Sequence, residues 1–343
     1  MTVERLLLNT LKGQHSERRP IWLMRQAGRY LPEYRALRSA KDGFLGLVYD
    51  SSAAAEVTLQ PIKRFGFDGA ILFSDILVIP YALGQNLWFE DGEGPRLSPR
   101  LIDGHLGALK CVPERLEPIY DTVRKVREGL LPSTTLLGFA GSPWTVATYM
   151  LHGRGSKDQS EARRFAYSNA DAFEALIDAI TELTVTYLHG QIMAGVDAIQ
   201  LFESWSGTLS PAQFERWVII PNARIVSALR AIAPEIPIIG FPKGAGGKLL
   251  RYVIGVNPSA IALDETVDPH WAHSVLPPEI PVQGNLDPLA LITGGNVMKS
   301  AVDDILAAFS KRPHIFNLGH GILPDTPIAH VEQLLHMVRG QNQ

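Results

Sequence analysis

Eight short, largely apolar runs alternate with helical patterns in a chain of 343 residues that is 46% apolar. They predict an α/β fold: a single-domain (β/α)8 TIM barrel with an N-terminal helical extension and a β-hairpin insertion. The runs are Ile21 to Met24, Gly69 to Phe73, Thr135 to Ala140, Asp197 to Phe202, Ile236 to Phe241, Ala260 to Leu263, Ile280 to Gln283 and His314 to Leu318. Runs of this kind suit strands covered on both faces, as in a parallel sheet ringed by helices. The length supports one domain over residues 1–343, with no repeat or linker dividing it. An open doubly wound sheet is the alternative, because the last two units after Leu263 are short.

The elements between the runs carry their own punctuation. Ser51 and Ser52 can cap a helix that ends near Gly66, and Pro118 can open one running toward Gly129. Gln85 to Leu101 contains NLWFEDGEG, which reads as a hairpin turning at Asp91 and Gly92. Ala170 to Ala194 is a long periodic helix closed by Gly195. Ser210, Pro211 and Gln213 have the spacing of a capping box, and Asp268, Asp287 and Thr326 each precede a proline as helix caps.

Charge and cysteine content narrow the function classes. A formal net charge of −3 gives no general attraction to nucleic acid or to an anionic membrane, so the expected partner is a small-molecule substrate. The leading MTVERLLLNTLKG is too weakly apolar for a signal peptide, and Ser74 and Asp75 break the most apolar later stretch. Cys111 is the only cysteine, which excludes internal disulfides and multi-thiolate metal sites. A reducing, cytoplasmic location is expected.

In a barrel, chemistry collects where strands end and helices begin. Arg25 and Arg29 flank Gly28 after the first run, and two planar, permanently charged forks suit a substrate carrying carboxylates or phosphates. Alternatively both pair with acids such as Glu33 and only order the loop. Asp75 stands in ILFSDILVIP with no basic neighbour in sequence, and a buried lone carboxylate is costly unless it neutralises or finds donors. Tyr149, Glu203, Ser204, Lys243, Asp264, Asn285, Asp287 and His320 follow the later runs. Tyr149 can simply pack, Glu203 can pair with a neighbouring base, and Lys243 reads as structural because FPKGAGG lacks phosphate-loop spacing. Ser204 lacks the elbow of an acyl-transfer nucleophile. His320 lies between two glycines that leave its imidazole as the side chain able to reach a pocket. His270 and His273 are remote from that face, and no metal-ligand set is expected.

Six motifs, MRQAGRYLPEY, AAEVTLQP, ILFSDIL, GFAGSPWT, QGNLDP and NLGHGILPDTP, occur in order from about Pro20 onward. In these the chain strongly resembles the uroporphyrinogen decarboxylase family. The resemblance implies a barrel enzyme without cofactor or metal, a homodimer. It would convert the four acetate side chains of uroporphyrinogen III to methyls, giving coproporphyrinogen III. It carries Arg25, Arg29, Asp75, Tyr149, Ser204 and His320 over as site residues, with Gln26, Ala27 and Gly28 of the arginine loop as substrate-binding. By that resemblance Asp75 accepts the pyrrole N–H groups, and the others engage carboxylates or the reacting ring. The chain departs from the family pattern in VYDSSA around Val48 to Ser52, at Glu203 where aspartate is frequent, and at Glu265 where an aromatic is frequent. Zinc-dependent barrel methyltransferases and non-catalytic tetrapyrrole carriers are the alternatives. A single cysteine far from any strand's carboxyl end argues against the first.

Overall fold

In the computed structural model, which describes residues 4–16, 18–90 and 92–340, parallel strands and helices alternate around one buried apolar core. The strands are β1 (Gly69–Ile71), β2 (Asn86–Glu90), β3 (Gly94–Ser98), β4 (Thr135–Gly141), β5 (Ala198–Glu203), β6 (Ile238–Pro242), β7 (Ala260–Ala262), β8 (Val282–Gln283) and β9 (His314–Ile315). Seven of them form a parallel sheet in the order β1, β4, β5, β6, β7, β8, β9. Seven of the eight predicted strands are therefore present, several of them shorter than the apolar runs.

The eighth differs. Ile21 to Met24 makes only an isolated parallel bridge, Ile21 to Phe316, yet it spans the two edges of the sheet. On one side Phe316 N–H donates to Pro20 O at 2.8 Å; on the other Asp68 N–H donates to Ile21 O at 3.0 Å. Beyond that point side-chain amides replace the ladder. Leu23 N–H donates to Gln26 Oε1 at 3.1 Å and Met24 N–H to Asn317 Oδ1 at 2.9 Å. The backbone then turns left-handed at Arg25, φ 60°. This conformation costs a non-glycine residue roughly 1–3 kcal/mol.

Inside the barrel a polar chain crosses the core. Trp22 Nε1 donates to Gln283 Oε1 at 3.0 Å, Gln283 Nε2 to Gln200 Oε1 at 3.1 Å, and Gln200 Nε2 reaches Met24 Sδ at 3.7 Å. Buried amides satisfied in this way fix the arrangement around the segment that carries the two arginines.

The hairpin is present as antiparallel β2 and β3. Its predicted turn includes Asp91, which lies outside the described residues. The long helix runs Ala170–Ala194 and ends at Gly195 with φ 116°. Asp268 and Asp287 cap their helices by accepting the Trp271 and Leu289 N–H groups. Three capping expectations are corrected. Asp50, not Ser51 or Ser52, caps the helix Ser51–Phe65, because its carboxylate accepts both the Ser52 and the Ala53 N–H. Ser210 makes no side-chain cap, and Gln213 accepts the Trp217 indole N–H at 2.6 Å in place of closing a capping box. Thr326 does not cap either: the helix Ile328–Arg339 starts one residue later, with Pro327 at its cap position. Among the described residues, no helix is long and apolar enough to cross a membrane.

Candidate active site

A cavity of about 710 Å³ opens at the carboxyl ends of the strands. That lies in the upper part of the ~300–1,000 Å³ range usual for small-molecule sites. Arg25, Ala27, Gly28, Arg29, Asp75, Tyr149, Ser204 and His320 all line it. Residues up to 295 positions apart in sequence therefore converge on one space.

Gln26 is the exception. Its side chain is fully buried, accepting the Leu23 N–H and donating to Gly69 O at 3.0 Å, so it ties the arginine loop to β1 and does not face the cavity. The Gln26 carbonyl in turn accepts the Tyr30 hydroxyl at 2.9 Å. Gly28 earns its place by a close approach: a Cβ there would lie 3.0 Å from Arg25 O.

Glu33 pairs with Arg64, through bonds of 2.7 and 3.0 Å, and not with Arg25 or Arg29. Among the described residues neither Arg25 nor Arg29 has an acidic partner within ion-pair distance. Two guanidinium forks are thus left for an anion entering the pocket.

Glu90 and Glu93 on the cavity lining pair with Arg96, whereas Asp75 has no basic partner within ion-pair distance among the described residues. Burial pushes its pKa up to about 6, against the opposing effects of the Leu77 N–H bond and the Arg25 charge. It is poised to change charge near neutrality, a property that gathers at functional sites. Burial also raises the Tyr149 pKa, so its hydroxyl stays protonated and can donate. His320 is driven the other way. Burial, then the Arg25 and Lys243 charges, lower it to about 3, with Asp264 opposing. Its imidazole is neutral at working pH.

Ser204 is held by Thr145, a residue that no spacing or motif in the sequence pairs with it. Ser204 N–H donates to Thr145 Oγ1 at 2.8 Å, and Trp205 N–H to the same oxygen at 3.3 Å. The Thr145 hydroxyl then donates to Glu203 Oε1. Glu203 is fully buried and does not pair with a base, contrary to the simplest sequence expectation. Burial raises its pKa to about 8. Lys243 does not line the cavity; its ammonium lies 3.7 Å from Glu265 Oε1. Gly244 N–H donates to Asp264 Oδ2 at 2.8 Å, and Asn285 Nδ2 donates to Asp264 O at 2.8 Å. These contacts tie the loops after β6, β7 and β8 to one another. His270 instead contacts Asp304 at 3.0 Å on the outer helices.

Sequence reasoning missed the apolar wall. Phe139, Phe202 and Phe241 all line the cavity from β4, β5 and β6. Phe202 pairs with Phe241 in register, and its ring meets Phe139 and Phe241 edge-on at centroid distances of 5.6 and 5.9 Å. A phenylalanine near the end of three consecutive runs was the available signal. The wall lowers the local dielectric, which strengthens every charge facing it.

Together these features define a class: a parallel α/β barrel with a cationic, aromatic-walled cavity at the strand ends. A family model described as Uroporphyrinogen decarboxylase (URO-D) matches residues 2–341, and the chain belongs to that family. It is 69% identical over 334 residues to a uroporphyrinogen decarboxylase of Sphingopyxis alaskensis, covering 97% of this chain and 98% of the relative. It is 65% identical over 336 residues to that of Rhizorhabdus wittichii, covering 98% of each. Among solved structures, a methyltransferase from Methanosarcina mazei superposes with TM-score 0.79 at 18% identity, covering 98% of each chain. That likeness is one of fold.

Proposed function

We propose that this cavity decarboxylates the four acetate side chains of uroporphyrinogen III, giving coproporphyrinogen III. The observation that carries the proposal is that Asp75 faces a cavity lined also by Arg25 and Arg29, both without acidic partners among the described residues, and by an aromatic wall. Membership of the decarboxylase family supplies the substrate.

Protonating a pyrrole ring carbon makes the ring a cation. The bond between the acetate methylene and its carboxylate then breaks, carbon dioxide leaves, and the electron pair passes into the ring. The resulting exocyclic methylene takes up a proton while the ring carbon releases one, leaving a methyl group. The ring itself is thus the electron sink. In this reading Asp75 accepts the pyrrole N–H groups and opposes the developing positive charge, which a preorganised charge in a water-poor site does strongly. Arg25 and Arg29 hold substrate carboxylates, a task for which planar forks are suited. Tyr149 and Ser204 donate hydroxyl hydrogen bonds, and neutral His320 adds one more contact without adding charge beside Arg25.

The same reading takes residues 1–343 as one barrel domain, working as a cytoplasmic homodimer on a small molecule rather than on nucleic acid or membrane. Support comes from the family resemblance, the net charge of −3 and the lone exposed Cys111. The test is incubation of purified protein with uroporphyrinogen under reducing, oxygen-free conditions, counting the carboxylates of the product. Stepwise loss of four is expected. Bound but unchanged substrate would make the protein a carrier, and a methylated product a methyltransferase.

A further inference from the structure

We infer that Gly321 is a positioning residue whose missing side chain forms the seat of the Arg25 guanidinium stem. A Cβ at Gly321 would lie 2.3 Å from Arg25 Cδ, 2.7 Å from Cγ and 2.9 Å from Nε. The arginine therefore lies flat across the glycine. This inference rests on the decarboxylase reading of the cavity, in which Arg25 holds a substrate carboxylate.

Three further observations make the contact a fixed one. Ile322 N–H donates to Met24 O at 2.9 Å, so the residues following Gly321 and preceding Arg25 are joined by backbone. Asn317, fully buried, accepts both Met24 N–H at 2.9 Å and Leu318 N–H at 2.8 Å with one oxygen. The left-handed backbone at Arg25 fixes the direction in which its side chain leaves. The seam that closes the barrel is thus also the mount of the arginine.

The two glycines around His320 have different tasks. A Cβ at Gly319 would lie 2.2 Å from Glu265 N, so a substitution there drives backbone against backbone. At Gly321 the obstructed atoms belong to a flexible side chain, and its φ is not among the left-handed ones. Alanine fits the Gly321 backbone, and the arginine is what gives way. Carbon atoms need about 3.5–4.0 Å between them. The stem must shift by roughly 1 Å, and a misplacement of that size can cost about a hundredfold.

Gly321→Ala should therefore lower kcat/KM by roughly tenfold to a hundredfold while moving Tm by only a few degrees. In an Arg25→Ala background the same change should cost less than about twofold, because its target is gone. Turnover in that background will be low, so the second readout is affinity for uroporphyrin III, the oxidised macrocycle, from quenching of tryptophan fluorescence. That readout also separates the two claims: wild-type protein that binds but does not decarboxylate defeats the proposed activity, while the coupling is still read from affinities. Gly321→Ala with wild-type kinetics and affinity would overturn the inference. So would an equal loss in both backgrounds, or an unfolded protein in both. A Gly321→Ala protein that folds only when Arg25 is removed would support it.

Discussion

The Leu77 backbone N–H donates to Asp75 Oδ1 at 2.8 Å, so one oxygen of the cavity carboxylate is anchored to its own loop. Among the described residues, no protein donor reaches its other oxygen. Asp75→Asn keeps an acceptor for Leu77 and removes only the charge and one acceptor. Its Tm should not fall below wild type, while single-turnover decarboxylation falls on the order of a hundredfold or more. Asp75→Glu keeps the charge but displaces it, and should bind substrate yet turn over slowly. Near-normal rates in folded Asp75→Asn would remove this residue from the mechanism.

The raised pKa of Asp75, about 6, makes two pH predictions. In the free enzyme kcat/KM should climb with pH through that value as the carboxylate ionises, and Asp75→Asn should lose this limb. Stability has the opposite sign. A carboxyl whose folded pKa lies above its unfolded value stabilises the fold at low pH, and that contribution is lost as pH rises from about 4 through about 6. A pH–rate profile of Asp75→Asn with the same limb as wild type would assign the titration elsewhere.

Arg29 faces the cavity without an acidic partner, so its geometry is available to substrate. Arg29→Lys keeps the charge but loses the two-pronged fork. Loss of a charge-assisted contact of ~1.5–3 kcal/mol corresponds to roughly a tenfold to hundredfold fall in kcat/KM. Unchanged steady-state kinetics would mean that charge alone matters at this position.

Glu203 supports the Ser204 turn through Thr145, and burial raises its pKa to about 8. Its contribution to stability is greatest below the ordinary carboxyl pKa and is lost as pH rises through about 8. Glu203→Gln still accepts the Thr145 hydroxyl but no longer titrates. Melting curves between about pH 5 and 8 should fall for wild type and run flatter for the variant. Parallel curves would count against a neutral, structural Glu203.

Among the described residues, no three His, Cys, Asp or Glu side chains converge as a metal-binding group. Decarboxylation should therefore survive exhaustive chelation and dialysis, assayed against an untreated sample. Loss of activity restored by one added metal would reverse that expectation.

The sequence by itself determined the alternation of strands and helices, the long helix Ala170–Ala194, the hairpin strands and the cavity positions of Arg25, Arg29, Asp75, Tyr149, Ser204 and His320. These rest on information local to the chain: apolar periodicity, proline and glycine at helix ends, and polar residues just after buried runs. Family motifs then supplied roles that local pattern alone left open, as for Arg25 and Arg29 beside Glu33. Only the tertiary structure decided the rest. It turned Gln26 inward, because Leu23 N–H and Gly69 O needed its amide more than the cavity did. It made Asp50 a cap in place of the serines, held Ser204 through Thr145, and laid Arg25 across Gly321. Each of those pairings joins groups that compete for several possible partners, and one-dimensional spacing cannot rank competitors. Burial ranks them, because a polar group removed from water must take whichever partner the closed barrel brings within reach.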